Sequence, residues 1–186
     1  MDAMTVAQRM TAEEYLALPV QRWTELVEGE LVVSQPRIEH QAVAGRLFHV
    51  LTLWTAAESG RGEVTLPLDV ELDDTNIYAP DVLWFSEPRR PRRGVRPQPL
   101  PDIAIEVRSP STWRYDIGAK KAGYERYGLP ELWLVDTDAE VVLVFRRSRL
   151  RGSAFDVSLE LATPQALTSS LLPGFSLALD DLFGGG

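Results

Sequence analysis

The 186-residue chain has no cysteine. That excludes disulfides and thiolate metal sites and fits a cytoplasmic protein. No apolar run approaches the roughly 20 residues of a membrane-spanning helix, so no membrane association is expected. Met1 to Met10 lacks the apolar segment of a secretory signal, so no leader is expected there. Net positive charge is lacking too. Nineteen Lys and Arg stand against 27 Asp and Glu, giving a formal charge of −8 and a pI of about 4.8. This argues against a protein that coats nucleic acid by bulk charge, but it leaves room for a local basic patch. Repeats, low-complexity tracts and linkers are absent, and so are a P-loop and a dinucleotide fingerprint. Hydrolysis of a small phosphorylated compound therefore ranks last among the functions considered.

What is present is ordinary globular composition, at a length that suggests one domain spanning residues 1–186. Thr11 and Glu14 have capping-box spacing and open a short helix that Pro19 ends; nothing local anchors it strongly. Glu25 to Ser34 reads as a hairpin turning at Glu28-Gly29. Glu25, Glu28 and Glu30 read as exposed hairpin charges, with a metal or catalytic role the minor reading. Arg37 to Glu58 is the longest helical pattern. Val43, Leu47, Val50 and Trp54 form one stripe, which His40 extends toward the N-terminus and His49 does not join. Gly60 and Gly62 stop the helix.

Glu63 to Leu72 alternates and reads as a single half-buried strand, followed by a turn at Asp73–Asn76. Asp81 to Phe85 and Ile103 to Val107 are apolar on both faces apart from their acids, as central strands are. Between them lie Arg89, Arg90, Arg92, Arg93 and Arg96, either a solvated loop or a grip for backbone phosphates. A helix from about Arg114 to Tyr127 turns Ile117, Lys120, Tyr124 and Tyr127 inward, with Lys121 and Glu125 as an outer i,i+4 pair. Strands follow at Leu132–Val135, Val141–Phe145 and Ser158–Ala162, then an apolar C-terminal cover from Leu171 to Phe183. The expected architecture is α/β: a mixed sheet flanked by helices, with an N-terminal hairpin and a C-terminal β extension.

Asp81, Glu106 and Lys120 stand out because pattern points them into apolar surroundings, where an unpaired charge is costly. Two acids and a lysine are a minimal set for hydrolysing a phosphodiester. Magnesium takes one or two carboxylates and keeps its waters, and a lysine can offset charge building up on phosphate. The chain has two Pro-Asp pairs. Asp102 lies four residues from Glu106 on one strand, about 13 Å away, too far to share a metal. Asp81 opens a different strand that can lie beside it. A buried Asp81–Lys120 ion pair without metal is the plainer alternative. His40 reads either as a packed, hydrogen-bonded residue or as a site residue.

Pro80-Asp81, Glu106-Val107-Arg108 and Lys120 resemble the active-site pattern of the PD-(D/E)XK nuclease superfamily. Glu25 to Leu31, His40-Gln41, Glu106 to Thr112, Tyr115 to Lys120, Tyr124, Leu132 to Asp136 and Leu172 to Phe175 resemble more specifically the Uma2 family of restriction-endonuclease-like proteins. The resemblance implies a restriction-endonuclease-like core with catalytic Asp81, Glu106 and Lys120. It implies Mg2+ or Mn2+ held by Asp81, Glu106 and the carbonyl of Val107, with His40 and Glu30 in support. DNA is the implied partner, gripped by the arginine loop, and a homodimer is plausible because two cuts need two sites. One position departs from the superfamily pattern: Arg108 stands where many relatives by fold carry their lysine, and arginine cannot readily serve as a base. The resemblance assigns that lysine to the following helix, at Lys120. The expected function is a magnesium-dependent endonuclease acting on DNA. The alternative is a nuclease-like fold that binds nucleic acid or a protein partner without cutting it.

Overall fold

The computed structural model describes residues 9–19, 23–149 and 152–184. The expectation about a leader within Met1 to Met10 falls largely outside them. Thr11 caps helix α1 (Ala12–Ala17) through reciprocal bonds with Glu14. This helix is better anchored than its sequence suggested. Ala12 and Tyr15 pack with Leu26 and Ile77, and Tyr15 donates its hydroxyl to the Thr24 carbonyl at 2.8 Å. The tie is tertiary, so no local pattern announces it.

Strands β1 (Thr24–Val27) and β2 (Glu30–Val33) form the expected hairpin. Glu28 and Gly29 both have positive φ, 51° and 78°, as the mirror-image hairpin turn requires. The alternating run from Glu63 to Leu72 is two strands, not one: β3 (Glu63–Thr65) and β4 (Val70–Asp73) belong to different sheets. Pro67 sits between them and has no N–H to continue a ladder. A further short strand, β5 (Asn76–Tyr78), pairs with both β1 and β4. The four-stranded sheet that results has the order β2-β1-β5-β4.

The second sheet contains β3, β6 (Val82–Phe85), β7 (Ile103–Val107), β8 (Glu131–Asp136), β9 (Val141–Arg146) and β10 (Val157–Leu161), in the order β10-β9-β8-β7-β6-β3. Its strand pairs are antiparallel except β7–β8. A parallel pair needs a crossover, and the crossover here is helical. It runs through α3 (Trp113–Tyr115), a wider π-helical stretch at Asp116–Lys120, and α4 (Lys121–Arg126).

The six-stranded sheet is covered on both faces. On one face, helix α2 (Ile38–Ala56) buries Val43, Leu47 and Leu51, with Val50 and Trp54 at the margin of the stripe. The C-terminal cover completes that face with β11 (Ala166–Leu167), β12 (Leu177–Ala178) and α5 (Leu179–Phe183), contributing Leu172, Phe175 and Leu182. On the other face, Ala104, Leu132 and Leu134 meet Tyr124 and Leu129, together with Val27, Val32 and Tyr78 of the small sheet. Glu106 alternates onto this second face. Gly123 allows the close contact there, because a Cβ would collide with the Tyr78 hydroxyl. No helix among the described residues is long and apolar enough to cross a membrane.

Candidate functional site

Antiparallel pairing of β6 and β7 sets Val82 opposite Ile105, so Asp81, one residue earlier, stands opposite Glu106. Directly opposed residues share a face and lie about 5 Å apart at Cβ. The two acids expected on neighbouring strands are thus brought together, and Asp102 lies at the far end of the pair.

The π-helical stretch supplies the third member. Lys120 Nζ lies 2.8 Å from Glu106 Oε1, 2.8 Å from Glu25 Oε1 and 3.1 Å from Asp116 Oδ1. Lys120 is inward as expected, but the inward row differs from the one its spacing suggested. Asp116, Lys120 and Tyr124 are buried, whereas Ile117 and Tyr127 are 47% and 40% exposed. A π-helical turn takes more residues than an α-turn, and this brings residues four apart into line. Lys121 and Glu125 do not pair either. Lys121 lies over the Phe145 ring, and Glu125 accepts the Phe155 N–H.

Glu25 corrects the expectation most clearly. It is buried on β1, accepts the Ala79 N–H at 2.6 Å and holds Lys120 with both oxygens. Hairpin alternation marked it as a surface charge, but the second sheet closes over it. Glu28 and Glu30 are exposed as expected. Glu30 accepts the Tyr115 hydroxyl and does not line the cavity.

Asp81 is held at both oxygens, by the Val107 N–H at 2.8 Å and by His40 Nε2 at 3.1 Å. The plainer alternative of an Asp81–Lys120 pair is therefore replaced by two separate sets, His40–Asp81 and Lys120 among Glu25, Glu106 and Asp116. His40 Nδ1 is buried without a hydrogen-bond partner among the described residues. Tyr124 donates to Glu106 Oε1 at 2.6 Å. Of the residues that sequence reasoning missed, Asp116 sits four before Lys120, and Glu25 lay within the hairpin phrase of the family resemblance. The signals were there, but no sequence rule ranks them.

These groups surround a cavity of about 50 Å³ lined also by Trp23, Thr24, Ser34, Pro67, Ala79 and Thr112. The side chains of Lys120 and Glu106 are only 1% and 3% exposed, while Asp81 at 16% forms the open edge. Burial drives the Glu106 carboxyl well above its ordinary value; Lys120 opposes this, and Asp116, Glu25 and Asp81 add to it. Burial likewise pushes Asp116 up to about 6, against the pull of Lys120. For Lys120, burial would lower the pKa, but Glu106, Glu25 and Asp116 together hold it well above the ordinary lysine value. The lysine is thus an ammonium held by carboxylates and not a free base.

Four carboxylates therefore face one ammonium and one imidazole. No group of three or more His, Asp or Glu among the described residues is arranged to cage a metal. Magnesium does not require such a cage, since one or two carboxylates suffice. Asp81 and Glu106 supply hard-oxygen donors of the kind a divalent cation takes.

Arg108 cannot stand in for the lysine. Its Nη1 binds both Asp136 oxygens, at 2.9 and 2.8 Å, and its Nη2 lies 3.1 Å from Asp138. The arginine loop follows β6 and so leaves the end of that strand remote from Asp81. Arg89 binds Asp102, Arg90 pairs with Glu87 and Arg96 with Asp69. Arg92 and Arg93 are exposed.

A sequence profile of the Uma2 family, described as "Putative restriction endonuclease", matches residues 12–180. A search of curated proteins gives no match. Among solved structures, a protein from Anabaena variabilis ATCC 29413 described as "a putative nuclease belonging to DUF820" superposes with a TM-score of 0.78 at 23% identity, covering 94% of this chain and 98% of that one. At that identity the likeness establishes a shared fold.

Proposed function

The chain belongs to the Uma2 family, and from that premise we propose that it is a metal-dependent endonuclease hydrolysing DNA phosphodiester bonds. One observation carries the reading: Asp81 and Glu106 are opposed across β6–β7, with Lys120 Nζ 2.8 Å from Glu106 Oε1. Asp81, Glu106 and the Val107 carbonyl would hold Mg2+ or Mn2+. When bound, such an ion polarises a phosphoryl oxygen and lowers the pKa of a water.

The chain's own residues do the rest. The Lys120 ammonium donates hydrogen bonds and offsets negative charge gathering on the phosphate. Glu25 and Asp116 fix that ammonium and keep it charged. Tyr124 orients Glu106 by donating to Oε1, and His40 together with the Val107 N–H orients Asp81. The test is nicking of plasmid DNA with magnesium or manganese by the wild type, Asp81→Asn and Lys120→Met. Metal-dependent nicking by the wild type alone is expected, and equal nicking by all three would sink the assignment. The acidic charge of −8 favours a second reading, a fold that binds without cutting. That reading requires binding with no cleavage under either metal.

A further inference from the structure

Trp23 is unusual in three respects that the chemistry above does not use. Its φ is 65°, a left-handed backbone that is an outlier for a bulky residue and carries a conformational cost. Glycine would adopt that φ without strain. Among the described residues its side chain joins none of the buried apolar clusters, and it is 45% exposed. It also lines the cavity that holds Asp81, Glu106 and Lys120, where it is the one aromatic residue and Pro67, Ala79 and Val107 are the other apolar ones among the described residues. Its backbone is fixed, because the Trp23 carbonyl accepts the Ser34 N–H at 2.7 Å.

No packing among the described residues explains a strained, exposed indole at the rim of an acidic cavity. Its position is informative about the substrate. Glu25, Asp81, Glu106 and Asp116 outnumber Lys120 and His40 in the lining, so charge alone gives phosphate little net attraction there, and the arginine loop leaves the remote end of β6. Affinity at the site must then include a contact that does not depend on charge. Stacking of a base on an aromatic face is such a contact, and it tolerates any sequence. Within a duplex both faces of a base are covered by its neighbours. Only an unpaired nucleotide offers a face to Trp23, and a recessed site is reached more readily by one flexible strand than by a duplex.

We infer that Trp23 is a stacking platform for an unpaired nucleobase beside the scissile phosphate, so that the substrate is single-stranded or locally unpaired polynucleotide. The inference rests on the polynucleotide-cleaving reading above, and its test separates the two. The full chain in EDTA is titrated at physiological salt against a short labelled single-stranded DNA of mixed sequence and against the matched duplex. The wild type is expected to bind the single strand more tightly. Trp23→Ala and Trp23→Gly should weaken single-strand binding about tenfold and leave duplex binding unchanged. Trp23→Phe should stay close to the wild type. Trp23→Gly relieves the backbone, so an unchanged melting temperature is expected, and its loss of binding is not a loss of folding. Wild-type single-strand binding by Trp23→Gly overturns the inference, as does an equal loss on both DNAs. Cleavage is scored separately with magnesium. Cutting that Asp81→Asn abolishes keeps the nuclease reading whatever Trp23 does, whereas Trp23-dependent binding with no cutting keeps the stacking surface and removes the nuclease.

Discussion

Asp81 and Asp102 follow prolines and occupy equivalent places at opposite ends of the same antiparallel pair. Asp81 faces Glu106, and Asp102 faces Phe85. Each accepts the backbone N–H one residue beyond the position it faces: Asp81 Oδ2 from Val107 at 2.8 Å, Asp102 Oδ2 from Ser86 at 2.7 Å. As a fastening for a strand end, the two carboxylates do the same work. Their neighbours differ. Asp102 Oδ1 is neutralised by Arg89 at 2.6 Å. Among the described residues Asp81 has His40 as its side-chain partner and lies beside Glu106, Glu25 and Asp116. One end of the pair has balanced charge and is finished as structure. The other sets four acids around a single lysine, the arrangement on which the proposed metal site rests.

The sharpest way to break the comparison is to make the same substitution at both ends. Asp81→Asn should reduce metal-dependent nicking at least about a hundredfold with little change in melting temperature, because the amide oxygen can still accept the Val107 N–H. Asp102→Asn should leave nicking intact and cost about 1 kcal/mol in a denaturant titration, a modest figure because Arg89 is 40% exposed at its side chain. Equal loss of nicking would show that Asp81 is only a fastening. Lys120→Met goes further. It leaves Glu25, Glu106 and Asp116 buried without their cation and should cost about 3–5 kcal/mol along with activity. Glu25→Gln keeps an acceptor for the Ala79 N–H and for Lys120 while removing charge. About tenfold lower nicking with near-normal stability is expected of a positioning residue.

The same contrast separates what was legible in the sequence from what was not. Setting Asp81 and not Asp102 beside Glu106 needed only strand spacing, and the hairpin at Glu28-Gly29 and the strand at Ile103–Val107 announce themselves by turn chemistry and composition. Lys120 lies inward as its spacing suggested, though for an incomplete reason. Ideal α-helical spacing also placed Ile117 and Tyr127 inward, and the π-helical stretch puts them outside. The burial of Glu25 and Asp116 was not legible, for another reason. Their burial is created by a sheet and a helix distant in sequence, and a local pattern reports only which side of an element a residue occupies. The break at Pro67 belongs between these cases, since the proline was visible and the continuous alternation around it outweighed it.

Titration sharpens the comparison without any substrate. Asp116 is pushed up to about 6, from an ordinary 3.8. The folded metal-free protein therefore holds a proton that the unfolded chain gives up between those values. Its stability should fall as pH rises through that window, and the raised Glu106 adds to the same slope. Melting temperature in EDTA should decline from pH 4 toward pH 7, and magnesium should flatten the decline by stabilising the charged form. Asp73 has the opposite sign. Burial would raise it, but hydrogen bonds from Tyr127, Thr75 and Asn76 lower it to about 2, so its contribution is present above 3.8 and lost as pH falls below that. Tyr127→Phe should reduce the acid-side loss alone. A metal-free protein equally stable at pH 4.5 and 7 would argue that the acid cluster is balanced after all.

The smallest expected effect lies at the Asp102 end, in the arginine loop. Arg89, Arg90 and Arg96 are engaged with Asp102, Glu87 and Asp69, so their charges are largely spent within the protein. Arg92 and Arg93 are exposed and remain candidates to meet phosphate. Arg92→Ala and Arg93→Ala should each weaken DNA binding uniformly across sequences and lower the dependence of log affinity on log salt by about one. Arg89→Ala should instead lower stability and leave the salt slope alone. If Arg89→Ala changes the slope and Arg92→Ala does not, the loop reaches DNA through the residue that fastens Asp102. The two ends of the β6–β7 pair would then be parts of one binding surface, and the division between a structural end and a chemical end would have to be given up.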